Sequence, residues 1–253
     1  MTQAKKAETF NALHVRGDPV VLYNIWDAGG AAALAKAGAP AVATGSWSVA
    51  AAQGYGDGEA IPLDFLVRIV ERITASVEVP VSVDFEGAYA AEPETAAANV
   101  TQLLNAGAIG INFEDQVVGG SGLHALDKQV NRIAAIRQAA VAAGVPLFIN
   151  ARTDLFLKDR DRADHKGLVA EALERGSAYA EAGASGFFVP WLADPDLIGQ
   201  VCQAVPLPVN VMAAQGVPSK SDLAAVGVAR ISHGPGPYFD AIKTLTERYQ
   251  SLS

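Results

Sequence analysis

Short apolar runs recur along this chain, separated by longer stretches in which apolar positions return every three or four residues. The runs at 20–26, 41–45, 79–85, 110–114, 146–152, 186–190, 208–212 and 228–232 predict strands buried on both faces, as in parallel sheets. The stretches 63–77, 95–105, 128–143, 167–181 and 194–204 carry the helical period, with turn residues at the joins. Residues 2–13 predict a short helix at the bottom of the fold, and 238–252 a helix after the last strand. A weak repeat marks four joins: Lys36-Ala37-Gly38-Ala39, Asn105-Ala106-Gly107-Ala108, Glu181-Ala182-Gly183-Ala184 and Ala225-Val226-Gly227-Val228. Its glycine suits the left-handed residue that ends a helix, and the apolar run behind it suits the next strand.

Eight such alternations in 253 residues predict an α/β fold, a single (β/α)₈ TIM barrel spanning residues 1–253. An open doubly wound sheet is the alternative. No G-x-G-x-x-G follows the first strand, however, and Asp27-Ala28-Gly29-Gly30 is a poor substitute. No Pro/Gly/Ser-rich linker divides the chain.

Composition narrows the partners. Half the residues are hydrophobic and 18% charged, which suits a folded domain, while a net charge of −8 and a pI near 5.0 argue against nucleic acid and anionic membrane. A small molecule is the expected partner. Cys202 is the only cysteine, which excludes an intramolecular disulfide framework and a cysteine-rich zinc site and suits a reducing cytoplasm. The N-terminus has no signal-peptide core, and no apolar run reaches about 18 residues.

Two acidic clusters, Val83-Asp84-Phe85-Glu86-Gly87 and Asn112-Phe113-Glu114-Asp115, fall at strand carboxyl ends, where parallel α/β folds bind ligands. Asp84 and Glu86, two apart, share one face of an extended strand end. Two adjacent carboxylates repel unless a cation neutralises them, and a hard divalent ion such as Mg²⁺ is the simplest. Asp27, Ser46, Trp47, Arg152, Asp154, Asn210 and His233 also fall at strand ends, so a barrel gathers them at one mouth. Arg152 has the fork to hold a substrate carboxylate, or an ion pair with Asp154 or Glu114. The glycine-rich stretch 44–59, with Asp57 near its end, offers backbone N–H groups to a carboxylate or enolate oxygen. Residues 116–126, rich in glycine, suit a lid carrying His124 as a candidate acid or base. No phosphate loop, H-E-x-x-H or G-x-S-x-G occurs, which leaves nucleotide hydrolysis, zinc proteolysis and α/β-hydrolase chemistry unsupported.

Over roughly residues 21–238 the chain resembles the isocitrate lyase and phosphoenolpyruvate mutase superfamily. The matching pieces are Trp26-Asp27-Ala28, Gly45-Ser46-Trp47 through Gly54-Tyr55-Gly56-Asp57-Gly58-Glu59, Val83 to Tyr89, Asn112-Phe113-Glu114-Asp115-Gln116, Asn150-Ala151-Arg152-Thr153-Asp154 and Pro208-Val209-Asn210. The resemblance implies a Mg²⁺ site, with Mn²⁺ as a substitute, in which Asp84 is the principal ligand. Asp57, Glu86 and Glu114 would support it directly or through water. It implies that the amides of Ser46 and Trp47, with Arg152, grip a 2-oxo or 2-hydroxy carboxylate; Gly45, Asn210 and His233 are further candidates for binding it. Asp57, Glu114, Arg152 and His124 would carry the chemistry.

The implied reaction is carbon–carbon lysis or decarboxylation of a small di- or tricarboxylic acid through a metal-stabilised pyruvate-type enolate. Phosphorus–carbon chemistry (mutase or phosphonopyruvate hydrolase) and a non-catalytic carboxylate-binding member are the alternatives. The lyases' Lys-Arg/Lys-Cys-Gly-His lid is replaced here by Val117-Val118-Gly119-Gly120-Ser121-Gly122-Leu123-His124, and the mutases' histidine at the sixth strand end by Pro190. The resemblance also implies a homo-oligomer, a dimer or tetramer, with residues 239–252 available as an exchanged C-terminal helix.

Overall fold

A computed structural model describes residues 1–252. Eight parallel strands form a nearly closed barrel: β1 (Val20–Leu22), β2 (Val42–Ala43), β3 (Val81–Asp84), β4 (Gly110–Glu114), β5 (Phe148–Arg152), β6 (Gly186–Phe188), β7 (Val209–Met212) and β8 (Arg230–Ser232). The ladder runs in the order β1-β8-β7-β6-β5-β4-β3-β2. A single parallel bridge, Ile25 to Thr44, joins its two ends. There the Ile25 N–H donates to Ala43 O at 2.8 Å and the Gly45 N–H to Ile25 O at 3.2 Å. All eight expected strands are present. The first is shorter than its apolar run, because the chain beyond Leu22 turns to make that bridge and then caps the next helix with Asp27.

The expected helices are α1 (Gln3–Ala12), α4 (Leu63–Ser76), α5 (Pro93–Asn105), α6 (Leu126–Ala142), α8 (His165–Glu181), α9 (Pro195–Ala204) and α11 (Gly236–Gln250). Four more, α2 (Ala28–Lys36), α3 (Ser46–Ala52), α7 (Leu155–Lys158) and α10 (Lys220–Ala225), have no counterpart in the pattern reading. They are short or alanine-rich, so no polar and apolar faces alternate. Residues 44–59 therefore hold a helical turn rather than only a glycine-rich connection. The four repeat glycines lie at φ between 92° and 100°, the left-handed geometry that ends each helix before the following strand.

α1 plugs the lower end of the barrel. Phe10 is fully buried edge-on to Phe148, with ring centroids 5.3 Å apart, and His14 stacks on Phe148 at 4.0 Å. Burial, with the nearby Arg230 charge, pulls the His14 pKa down to about 3, so the imidazole is neutral and packs as part of the plug. The apolar core lies between the strands and the surrounding helices, through residues such as Phe113, Ile136, Phe156 and Phe187. The upper end stays polar.

Candidate active site

Register brings the polar residues of neighbouring strands level: Asp84 pairs with Asn112, Asn112 with Asn150, and Glu114 with Arg152. Asp84 is fixed from three sides. Ser46, at the start of α3, donates to its Oδ2 from the amide (2.9 Å) and the hydroxyl (2.8 Å), and the Asn112 amide donates to Oδ1 at 3.1 Å. The Thr44 hydroxyl accepts from the Asp84 N–H at 2.9 Å. Below them, Asn150 (2.9 Å) and Arg230 (3.2 Å) both donate to Asn112 Oδ1, which turns the Asn112 NH₂ towards Asp84. Arg230 is fully buried, makes no salt bridge among the described residues, and burial lowers its pKa to about 9.

Glu86 is buried just past β3, and its carboxylate accepts from the Glu59 N–H. Burial, then the charges of Asp57, Asp84 and Glu59, push it up to about 8. Burial also raises Glu114 well above the carboxylate range, with Asp154, Asp84 and Glu86 adding to the rise against the opposing Arg152. Asp57 is raised by burial and by Asp84. Arg152 donates from Nε (2.5 Å) and Nη2 (3.0 Å) to Asp154, and its Nη1 lies 3.1 Å from Glu114 Oε2. Of five guanidinium protons, these contacts use three.

Two cavities, each of about 170 Å³, open over this cluster and share Ser46, Asp57, Arg152 and Leu157. One lobe adds Glu86, Glu114 and Asp154. The other adds Asn24, Gly45, Trp47, Asp84, Asn112 and an apolar wall. Asp57, Asp84, Glu86, Glu114, Arg152, Gly45, Ser46 and Trp47 thus converge on one mouth. Asn210 is buried beneath it, donating to the Ser232 hydroxyl at 3.1 Å.

The two candidate histidines do not join them. His124 lines a separate cavity with Glu59, Tyr89 and Arg132, where burial and neighbouring cations lower its pKa to about 4. The 116–124 segment is pinned as a tight antiparallel loop by the Gln116–Leu123 bridge and the His124 N–H to Asp115 O bond of 2.7 Å. His233 lies tilted against Tyr23, ring centroids 5.1 Å apart, and faces a third cavity beside Leu223 and Ile231. Asp27 caps α2 through the Gly30 N–H. Asp115 is buried against Tyr179 and Arg175, where it also holds the Asp154 N–H.

Pattern reading missed Asn24, Asn112, Glu59 and Arg230. Asn24 ties three strand ends, donating to Thr44 O at 2.7 Å and accepting from the His233 and Gly234 amides at 2.9 Å each. The available clue was a polar residue inside an apolar run, as at Asn112 and Arg230.

Residues 10–253 match the model of the phosphoenolpyruvate phosphomutase family. A crystal structure from Burkholderia cenocepacia J2315, provisionally assigned as a phosphonomutase, superposes with a TM-score of 0.96 at 46% identity, covering all of both chains. The 2-methylisocitrate lyase of Escherichia coli (strain K12) is 29% identical over 215 residues, 83% of this chain and 70% of the enzyme. Phosphonopyruvate hydrolase, solved with oxalate and Mg²⁺, shares the fold with a TM-score of 0.84 at 20% identity, covering 98% of this chain and 86% of that one. The relatives thus include a lyase and a provisionally assigned phosphonomutase, with a hydrolase sharing the fold.

Proposed function

The chain belongs to the phosphoenolpyruvate phosphomutase family, and on that premise we propose that it is a carbon–carbon lyase acting on a small 2-oxo or 2-hydroxy acid through a pyruvate-type enolate, with Mg²⁺ held at the barrel mouth. The observation that carries this reading is the convergence of Asp57, Asp84, Glu86 and Glu114, three of them pushed upward by burial and mutual repulsion. A set of hard oxygen donors with excess negative charge suits a hard divalent cation. Among the described residues no three His, Cys, Asp or Glu side chains form a ready-made cage. Mg²⁺ commonly takes only one or two carboxylates and keeps several waters. Asp84 is the principal ligand in this reading, with Glu86, Asp57 and Glu114 supporting it, and Mn²⁺ is a fitting substitute.

When bound, the cation supplies positive charge that stabilises a developing enolate oxygen. The chain's own residues do the rest. Two Arg152 protons remain for a substrate carboxylate once Asp154 and Glu114 are served, and Asp154 fixes the guanidinium plane. Ser46 and Trp47, at the start of α3, line the same cavity, where the Ser46 amide is already taken by Asp84. Proton handling falls to Glu114 and Asp57, which line the mouth, rather than to His124, which faces another cavity.

Melting temperature with Mg²⁺ and oxalate, an enolpyruvate mimic, tests the site. Ligand at about a hundred times its dissociation constant adds about 2.7 kcal/mol, which is about 5–10 °C for a chain of this size. The shift should need both Mg²⁺ and Asp84; full retention in Asp84→Ala, or no shift in the wild type, overturns the reading. Screening 2-oxo and 2-hydroxy acids for a released 2-oxo acid then tests turnover. Phosphate release from phosphonopyruvate would instead favour phosphorus–carbon cleavage, and binding without turnover a carboxylate-binding role.

Two further readings go with it. No helix among the described residues is long and apolar enough to cross a membrane, and with one buried cysteine we place the protein in the cytoplasm. The exposed apolar stripe of α11 supports a homo-oligomer.

A further inference from the structure

One lobe of the mouth gathers Glu86, Glu114 and Asp154. The other, which Asp57 and Asp84 also line, carries the apolar side chains of Trp47, Leu157, Phe188, Pro190, Met212 and Pro235. Among the described residues Arg152 is the only cation lining that apolar lobe, and most of its donors are bound to Asp154 and Glu114. No other cation among the described residues lines this lobe. Arg160 is exposed and lines the acidic lobe alone. Arg132 lines the His124 cavity and is bonded to the Gly87 and Ala90 carbonyls. Arg230 is buried beneath Asn112, Lys158 holds Gln116 at the surface, and His233 faces away.

We propose that the substrate is a 4-hydroxy-2-oxo monocarboxylic acid whose C4 substituent is uncharged and apolar and sits on this wall: Glu114 or Asp57 takes the 4-hydroxyl proton, the C3–C4 bond breaks with its electron pair passing into the pyruvate enolate, and C4 leaves as an aldehyde or ketone carrying the apolar group. The proposal rests on the enolate-site reading above and narrows it, departing from the diacid expected from sequence. One carboxylate beside the α-oxygen uses what Arg152 has left. A second carboxylate or a phosphonate dianion placed on the apolar wall would lose its water without gaining a cation, next to a cluster already rich in negative charge. An alkyl or aryl group gains from burial there, about fourfold in affinity per methylene. The substrate's far end, not its enolate-forming end, is what these six residues select.

The test uses near-isosteric pairs that differ in far-end charge. Binding of 2-oxoglutarate is compared with 5-methyl-2-oxohexanoate, and of phosphonopyruvate with 4,4-dimethyl-2-oxopentanoate, by calorimetry on the full chain with Mg²⁺, with oxalate as reference. The alkyl member of each pair should bind at least tenfold more tightly. Met212→Arg, on the apolar lobe alone, should reverse that preference while keeping the oxalate signal, which also reports that the variant is folded. Pro235→Arg is a second variant with the same expectation. Oxalate binding with the charged members equal or tighter overturns this inference and leaves the enolate site standing. Failure of oxalate itself to bind overturns the enolate site, and this inference falls with it.

Discussion

Glu86 shows how a single residue at this mouth trades stability for chemistry. Its carboxyl is held near 8 in the folded chain against an ordinary 4.5, chiefly by burial. Between those values the folded chain keeps a proton that the unfolded chain has released, so stability falls as pH rises through the window and levels off above it. With chelator present, the melting temperature should drop by about 5–10 °C between pH 5 and pH 8, reflecting a loss of a few kcal/mol. Glu86→Gln should flatten part of that slope, the raised Glu114 and Asp57 keeping the rest, and Mg²⁺ should raise the melting temperature more at pH 8 than at pH 5. A slope unchanged in the variant would remove Glu86 as its source. His124 is the contrasting case: because it lines a different cavity, His124→Gln should leave the Mg²⁺ and oxalate shift within about 1 °C of wild type. Asp84, Glu86 and Glu114 were legible because a carboxylate closing an apolar run has few structural reasons to be there. The histidines misled because sequence places a loop residue near the mouth without fixing which way it faces, and His233 turns outward while its neighbours Ser232 and Gly234 line the site.

Elements deliver these residues through their ends. All eight strands were visible as apolar runs because burial on both faces leaves no room for polar alternation. Helices such as α3 were not, since Ser46–Ala52 is too short to show a period, yet its first residue holds Asp84. The turn after β3 was equally hidden. Glu86, Ala88 and Tyr89 all take left-handed φ values of 49°, 60° and 55°, which non-glycine residues adopt at a cost. Glu59 holds that turn from outside: its Oε1 accepts from the Tyr89 N–H at 2.7 Å while its own N–H donates to the Glu86 carboxylate. Glu59→Ala should therefore cost about 1–3 kcal/mol in urea unfolding, the price of unsatisfied N–H groups in a strained turn. Glu59→Gln, whose amide oxygen still accepts, should cost less than half as much. Equal losses in both variants would mean that charge, not hydrogen bonding, keeps the turn in place.

At the scale of the whole molecule, α11 is the element the barrel does not use. Every residue from Phe239 to Leu252 is exposed. Phe239, Ile242, Leu245 and Tyr249, at spacings that put them on one helical face, are between 42% and 75% exposed. Such a stripe is costly in water, and patches of this kind are what interacting surfaces cover. Sequence revealed the amphipathic helix but not its partner, because a helix that packs within its own chain carries the same pattern. A second copy of this chain is the occupant we propose, so light scattering should give a multiple of 26.2 kDa for the wild type. Ile242→Glu with Leu245→Glu should shift the particle towards a single chain, since a charge buried at an interface core goes unpaired. The first turn of α11 also meets the mouth: Phe239 lies 4.6 Å and Tyr238 5.7 Å from Trp47, ring centre to ring centre. Losing the assembly should then weaken binding of apolar 2-oxo acids on the Trp47 wall more than binding of oxalate. A wild type that is already a single chain would dismiss the assembly, and equal weakening of both ligands would separate the assembly from the site.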